Sequence, residues 1–187
     1  MLIDDALRKF VESFQNSGEP LGVMKYSDTK LQADKIDLPL TGEILYFYDH
    51  LILEDGPFFG CNPWISIIER NRFKRILEGW DNNPEWKDSY IIFAECNGDV
   101  LFCDSSDLKS PVYGSVQMEM YKLTDSLSEF LIIYSKFIEV EQIEFGGDVT
   151  DDDFNPKPEY LSRIEEELNK NLSSKLYIDN FMYFFFG

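Results

Sequence analysis

The residues that can carry nucleophilic or metal chemistry in this 187-residue chain are few and scattered. There is one histidine, His50, and there are three cysteines, Cys61, Cys96 and Cys103. A zinc site needs Cys and His ligands at short spacing, and these four residues do not supply one. A Cys–His nucleophile pair needs only a meeting in space, but no local signature indicates one. His50 is instead predicted to cap the end of a helix.

The acidic run 148–155 has the composition of a calcium loop. Its sequence is Asp-Val-Thr-Asp-Asp-Asp-Phe-Asn. When the first ligand position is placed at Asp151, Pro156 falls where the loop needs its sharp-turn glycine, and Ser162 falls where it needs a bidentate glutamate. The run is therefore predicted to be a solvated acidic linker and not a metal site.

The usual sequence signatures of catalysis and phosphate binding are missing. The chain contains no G-x-x-x-x-G-K-[ST], no G-x-G-x-x-G and no G-x-S-x-G. With 35 acidic residues some carboxylates must meet in space, so a glycosidase-type pair is not recognisable from sequence. We predict no catalytic residue, no metal ligand and no cofactor, and hence a protein that is not an enzyme.

The charge balance narrows the class of partner. The chain has 35 acidic and 17 basic residues, and its formal net charge is −18. Such a field repels nucleic-acid phosphates and anionic membrane surfaces. It favours a basic protein partner, because complementary charge speeds encounter and selects partners. The simpler alternative is that acidity only keeps a domain with 16 Phe and 10 Tyr soluble.

The N-terminus and the cysteine usage favour a cytoplasmic protein. Met1-Leu2-Ile3-Asp4-Asp5 has neither the basic nor the apolar region of a secretory signal, and no apolar run approaches the length of a membrane span. Three cysteines do not make a disulfide framework. Cys96 and Cys103 flank a predicted turn, so a cross-strand disulfide between them stays open.

Hydrophobic periodicity predicts the elements of the first half. An amphipathic helix is expected over 3–17 and a strand over 22–26. The segment 36–40 is extended because Pro39 disfavours helix at the residue before it. A second helix is expected from Thr41 through Ile52, and a third, with a basic outer face, from Trp64 to Trp80.

The region from Trp80 to Phe130 predicts a sheet with a helix packed on it. Asn97-Gly98 between two apolar runs is a strong hairpin signal. Ser126 and Glu129 form a capping box before an apolar run, and that helix should end near 142–146. The predicted strands of this β-meander are 90–96, 100–104, 112–117 and 118–123.

The C-terminal part is predicted to pack on the same domain. An acidic linker is expected over 146–158, a helix over 159–172 and a buried aromatic strand over 176–186. The fold class is therefore α+β: an antiparallel β-meander with helices around it, a C-terminal helix and an aromatic strand. The domain spans 1–145, and 159–187 is an extension packed against it.

Three stretches carry a family resemblance. They are Leu38-Pro39 before the helix with Phe47 and Tyr48, the segment Trp86–Asp104 with its Gly-Asp turn, and Pro111-Val112-Tyr113 followed by the helix start Leu123–Leu131. In this order they resemble the SUKH superfamily, which includes the Smi/Knr-type cell-wall regulators, Syd and many bacterial toxin-immunity proteins. The resemblance covers residues 36–140. Leu127 stands where the pattern commonly has Phe, and Glu54-Asp55-Gly56 replaces its Asn-Gly-Gly.

The resemblance implies a binding protein, most often an immunity protein that neutralises a cognate toxin by occluding it. Toxins that cleave nucleic acid are usually basic, so an acidic inhibitor can mimic their substrate electrostatically. The alternative is a regulatory or scaffold module that binds a host protein or peptide. An enzyme of unrecognised type is the third hypothesis.

Candidate partner-binding residues come from exposed acids and one aromatic. Tryptophan is a favoured interface hot spot, although Trp80 and Trp86 can equally seal an edge of the core. The candidates are Asp104 and Asp107 on a loop between strands, Asp151, Asp152 and Asp153 in the acidic linker, and Trp86.

Overall fold

The computed structural model describes residues 2–31, 39–80 and 82–187. In these ranges seven strands form one antiparallel sheet in chain order, which confirms the α+β class and the β-meander. The helices are α1 (Ile3–Gln15), α2 (Gly42–His50), α3 (Phe73–Ile76), α4 (Leu127–Glu139), α5 (Pro158–Asn171) and α6 (Lys175–Phe186). The strands are β1 (Leu21–Tyr26), β2 (Leu51–Phe58), β3 (Ser66–Ile67), β4 (Tyr90–Cys96), β5 (Asp99–Asp104), β6 (Val112–Val116) and β7 (Glu119–Thr124).

The central meander forms where the sequence predicts it. Asn97 and Gly98 both have positive φ, 52° and 89°, as a type I′ hairpin turn requires. Gln117 and Met118, predicted as strand residues, instead form the next hairpin turn with φ of 50° and 72°. Both turns match the right-handed twist of the strands that they join.

Helix α4 begins with the predicted capping box. The Ser126 hydroxyl accepts from the Glu129 N–H at 3.1 Å. The Glu129 carboxylate accepts from the Asp125 N–H at 3.1 Å, one residue before the expected donor. A π-helical turn, Val140–Glu144, continues α4 and ends within the predicted range.

The helices pack on one face of the sheet, which we call the covered face. On this face Phe93 of β4 contacts Phe130 of α4 with ring centroids 5.6 Å apart. Gly114 of β6 lies under Phe184 of α6, and any Cβ at this position would overlap that ring. On the opposite side, the free face, Phe102 of β5 stacks on Tyr113 of β6.

The second predicted helix is too long at its C-terminal end. Helix α2 stops at His50, and Leu51 and Ile52 instead begin β2 opposite Tyr26 and Lys25 of β1. The apolar density that suggested a continuing helix comes from burial in the sheet. Pairing with β1 decides the conformation, because it satisfies backbone groups that would otherwise be buried without partners.

The predicted helix from Trp64 to Trp80 is wrong. Ser66 and Ile67 form β3, which pairs with both β2 and β4, and only a 3₁₀ turn, Arg70–Arg72, and the short α3 follow. The chain must fill the gap between β2 and β4 to keep the sheet continuous. That tertiary requirement overrides the helical spacing of the apolar residues.

The aromatic tail is helix α6 and not the predicted strand. Ile178, Phe181 and Phe185 are buried at helical spacing, and the helix lies against β6 and β7. The Asn180 side chain donates to the Lys122 carbonyl of β7 at 2.8 Å. Aromatic residues favour strands. Here, however, the buried rings form a stripe along one side of a helix that covers the sheet, and the other side of the helix faces away from the sheet.

The remaining C-terminal and cysteine predictions have mixed outcomes. Helix α5 confirms the helix expected over 159–172, and its Tyr160 is buried in the same core as the strands. Cys96 lies opposite Asp99, and Cys103 lies opposite Ile91, so the two do not face each other. All three cysteines are buried and free. Residues 36–38 of the predicted extended segment lie outside the described residues.

Candidate functional site

The free face carries an open concavity that we call the aromatic depression. Its volume is about 600 Å³. It is lined by Pro84, Glu85, Trp86, Lys87, Tyr90, Tyr113, Met120 and Lys122. Of the candidate residues, Trp86 lies here. The structure thus places Trp86 at a surface concavity while its ring also packs on the core.

The floor and wall of the depression are a continuous set of rings. Phe102 is fully buried, and Tyr113 lies directly opposite it in the sheet with centroids 5.2 Å apart and planes 12° apart. Trp86 packs edge-on against Tyr90 at 5.4 Å and contacts Phe102 at 5.0 Å. Because these rings hold one another, the exposed surfaces of Trp86 and Tyr113 are fixed in orientation.

A buried asparagine positions the segment that carries Trp86. The Asn83 side chain donates to the Met118 carbonyl at 2.8 Å and accepts from the Glu85 N–H at 3.0 Å. The Asn83 carbonyl accepts from the Trp86 N–H at 2.9 Å. This ties the segment after Pro84 to the β6–β7 turn, so the wall of the depression is built before any partner arrives.

Two ammonium groups stand at the rim. Lys87 Nζ lies 5.2 Å from the centroid of the Tyr90 ring and 3.8 Å from the Asp104 carboxylate, and its side chain is 61% exposed. Lys122, opposite Tyr113 in the sheet, pairs with Asp125 at 2.6 Å. Burial raises the pKa of the Tyr113 phenol, while both ammonium groups oppose that shift. The depression therefore combines aromatic surface with two ammonium groups at its rim.

Asp104 is not the exposed contact that was predicted. It is the last residue of β5, only 9% exposed, and its carboxylate accepts from the Ser106 N–H at 3.0 Å and from the Ser106 hydroxyl at 2.6 Å. Burial alone raises the pKa of this carboxyl, but hydrogen bonds from Ser106 and Ser89 and the charge of Lys87 together outweigh burial, and the pKa lies below its ordinary value. Asp104 shapes the turn behind Lys87.

Asp107 is exposed, as predicted, but it also has a local role. Its carboxylate accepts from the Lys109 N–H at 2.8 Å, and its own N–H lies 3.4 Å from the Asp104 carbonyl. Asp104 and Asp107 thus belong to one turned loop near the edge of the depression. A charge at Asp107 remains open to solvent and to a partner.

Asp151, Asp152 and Asp153 are exposed in a second region, which we call the acidic loop (residues 148–157). One oxygen of Asp151 accepts from the N–H groups of Asp153 and Asn155, each at 2.9 Å. Thr150 bridges to Pro156 across the loop. The predicted linker is therefore a closed hairpin-like turn. Among the described residues, no hydrogen bond or ion pair joins it to the aromatic depression.

His50 lies in a hydrogen-bonded cluster at the β1 edge. Its ring stacks on Tyr46 at 4.2 Å, and its Nδ1 is 2.8 Å from the Ser27 carbonyl, which replaces the predicted cap on its own helix. Hydrogen bonds from Tyr26 and Tyr46 lower the pKa of the Asp4 carboxyl to about 2. No hydrogen bond in the described part of the chain connects His50 with a cysteine.

Cys61 lies in a buried cluster behind α4. Its Sγ is 3.4 Å from the Tyr134 hydroxyl, which donates to the Pro63 carbonyl at 2.7 Å. Burial raises the pKa of the Cys61 thiol well above its ordinary value, so the reactive thiolate is disfavoured. Nearby, Glu141 accepts from the Asn62 N–H at 2.6 Å, and burial raises the pKa of its carboxyl to about 7.

The sequence analysis named Trp86 but missed the residues that complete the depression. Tyr113, Met120, Lys87 and Lys122 come from separate elements, and only the sheet register brings them together. A signal was available in part. The Asn97-Gly98 turn sets the first pairs of the β4–β5 register, but strict alternation from that turn would place Phe102 opposite Phe93. A β-bulge between Ile92 and Ala94 shifts the register by one residue and brings Tyr90 to the same face as Phe102.

Comparison of this chain with protein-family models, curated proteins and solved structures gives no match. The SUKH resemblance therefore stays a prediction. Within the described ranges, His, Cys, Asp and Glu form no group of three or more suited to a metal ion. None of the helices in those ranges combines the length and apolar character that crossing a bilayer requires.

Proposed function

We propose that this chain is a non-enzymatic protein-binding module that recognises a basic protein. In the more specific form that the SUKH resemblance implies, it is a bacterial immunity protein that acts in the cytoplasm and neutralises a cognate toxin by binding it. A regulatory or scaffold module that binds a host protein is the alternative, and the identity of the partner separates the two.

The observation that carries the proposal is how the charges are distributed. Most of the basic side chains already form ion pairs with carboxylates on the same chain, as Arg8, Arg70 and Arg163 do. Among the described residues, the only buried acidic side chains are Asp49, Asp104, Glu141 and Glu167, so most of the unpaired carboxylates there lie at the surface. Asp152 and Asp153 are exposed examples on a loop whose shape is fixed by internal hydrogen bonds.

Charge of this kind acts mainly on encounter. A strongly negative surface steers a basic partner toward it and repels nucleic acid, so the module can compete for a surface that normally binds phosphate. The interaction is screened by salt over roughly 8–10 Å at physiological ionic strength. We therefore expect the affinity for a basic partner to fall by roughly tenfold or more as salt is raised.

The test is co-expression with the protein encoded beside this chain's gene, scoring growth and a stable complex. Rescue of growth from a basic toxin, together with salt-sensitive affinity, supports the proposal. Salt-insensitive binding contradicts the electrostatic part. A complex with a protein that is not toxic contradicts the immunity role and favours the regulatory alternative.

A matched pair of variants locates the charge that matters. Asp152→Asn with Asp153→Asn removes two charges from the acidic loop, while Glu12→Gln with Glu54→Gln removes two exposed charges elsewhere. We expect the loop variant to slow association severalfold more than the control. Equal effects of the two variants would show that only net charge counts and would exclude the loop as the contact.

A further inference from the structure

The aromatic depression has the composition of a docking site. Tyrosine and tryptophan dominate binding energy at protein interfaces, because each offers a large rigid apolar surface with a polar tip. Trp86, Tyr113 and Met120 are half-buried, and together they offer such a surface on the free face. The depression is open to solvent, and its volume of about 600 Å³ is that of a surface cleft that can receive a side chain.

The charges at the rim restrict what can occupy it. The lining contains two cations, Lys87 and Lys122, and one acid, Glu85. The Asp104 carboxylate beside Lys87 already receives the hydrogen bonds of Ser106, and its 3.8 Å separation from Lys87 is longer than a hydrogen bond. The exposed Lys87 ammonium is therefore available to a carboxylate that approaches over the rings.

We propose that the aromatic depression binds a segment of a partner protein in which an aromatic or long aliphatic side chain stands next to a carboxylate. The apolar side chain packs against Trp86 and Tyr113, and the carboxylate pairs with Lys87. This chemistry differs from that of the acidic loop, and the inference holds whether or not the partner is a toxin.

A second copy of this chain is the less favoured occupant. Two chains of net charge −18 repel one another, and each would have to bring its acidic surface close to the other. A short segment of another protein brings one carboxylate without that cost. The wall of the depression is also held in advance by Asn83, which lowers the ordering cost of binding a segment.

The test uses the full chain labelled with ¹⁵N and three capped peptides, Gly-Phe-Asp-Gly, Gly-Ala-Asp-Gly and Gly-Phe-Lys-Gly. We expect the first to bind with a Kd on the order of 1 mM and to shift the Trp86 indole N–H signal together with the Tyr113 and Lys122 amides. The other two should bind at least about fivefold more weakly, because each lacks one half of the recognised chemistry.

Two variants of the chain make the result specific. Lys87→Gln should weaken the first peptide about threefold to fivefold, while Lys74→Gln, an exposed lysine on α3, should leave it unchanged. Tyr113→Ser should abolish the shifts. If Tyr113→Ser perturbs the whole spectrum, Lys87→Gln still decides, because the Lys87 side chain is 61% exposed and its replacement leaves the rings of the depression in place.

Three outcomes would overturn the inference. The first is equal binding of the aspartate and lysine peptides, and the second is a set of shifts that lie away from the depression. The third is a dimer, detected by sedimentation of the free chain, that dissociates on Tyr113→Ser. A dimer of that kind would show that a second copy covers the depression.

Discussion

The two faces of the sheet are built from the same strands but differ in how their side chains are packed. On the covered face, the Phe184 ring occupies the space where a side chain at Gly114 would lie, and Phe93 packs against Phe130 of α4 and Phe47 of α2. On the free face, one residue earlier in β6, Tyr113 stacks on Phe102 and leaves part of its ring at the surface. Neighbouring residues therefore differ sharply in how much their environment constrains them.

The difference shows how this fold separates stability from recognition. Fully buried rings contribute most to stability, because the free energy follows the apolar area removed from water and the quality of packing. Half-buried rings contribute less to stability, but they keep apolar surface available in a fixed orientation. Packing on the covered face thus stabilises the strands, and the free face exposes aromatic side chains whose orientation the strands fix.

The largest expected effect is on the covered face. Phe130→Ala removes a fully buried ring that contacts Phe93, Tyr134 and Phe181, so we expect it to cost about 3–5 kcal/mol. Tyr113→Ala on the free face should cost only about 1 kcal/mol. Urea unfolding followed by circular dichroism measures both changes.

The comparison fails if the two substitutions cost the same. Equal losses would mean that the free face is as much a part of the core as the covered face. The depression would then be unsuited to binding, because exposing or rearranging its rings would unfold the chain.

The second prediction compares two adjacent residues on opposite faces. Gly114→Ala places a Cβ inside the Phe184 ring, so we expect a loss of about 1–3 kcal/mol as α6 is displaced. Ser115→Ala is the matched control, because the buried Ser115 hydroxyl has no hydrogen-bond partner among the described residues. Its replacement should be neutral or stabilising by up to about 1 kcal/mol.

Thermal unfolding of both variants measures this contrast, and hydrogen exchange reports on α6. Faster exchange in α6 should accompany Gly114→Ala and not Ser115→Ala. A Gly114→Ala protein as stable as the parent would show that α6 moves away from β6 at little cost. The tail would then be a loosely attached element.

The parts of the fold that the sequence predicted are those set by local rules. Asn97-Gly98 requires positive φ at both turn residues, and Ser126 with Glu129 supplies the helix cap, so the β4–β5 hairpin and α4 follow from short-range chemistry. The N-terminal amphipathic helix also follows from its own periodicity. In these cases each residue's neighbours along the chain determine its conformation.

The parts that the sequence could not predict depend on distant partners. Leu51 and Ile67 are strand residues because β1 and β4 lie beside them, and Phe181 is helical because β6 and β7 need covering. The candidate site divides in the same way. Asp151 is exposed, as expected. Asp104 is buried in a turn where its carboxylate binds Ser106, and the hydrophobic periodicity of the sequence gives no sign of that contact.

The third prediction depends on pH and concerns a carboxyl group buried behind the covered face. Glu141 follows α4, is 5% exposed, and has a carboxyl pKa raised to about 7 by burial, whereas Lys87 on the free face is exposed to solvent. Between the ordinary pKa of 4.5 and about pH 7, the folded chain holds this proton and the unfolded chain releases it. This group therefore makes folding less favourable as pH rises through that window.

Glu141→Gln removes that titration and keeps an oxygen that can accept from the Asn62 N–H. At pH 8 the variant should be more stable than the parent by about 3 kcal/mol, the linkage free energy of a pKa shift from 4.5 to about 7, while at pH 4.5 the two should be alike, because the parent's Glu141 is then neutral. Urea unfolding across this range measures the difference, and Glu12→Gln, which removes an exposed carboxylate of α1, is the control. A constant difference at all pH values would mean that the charge on Glu141 is solvated, and the contrast between the two faces would then lie only in their packing.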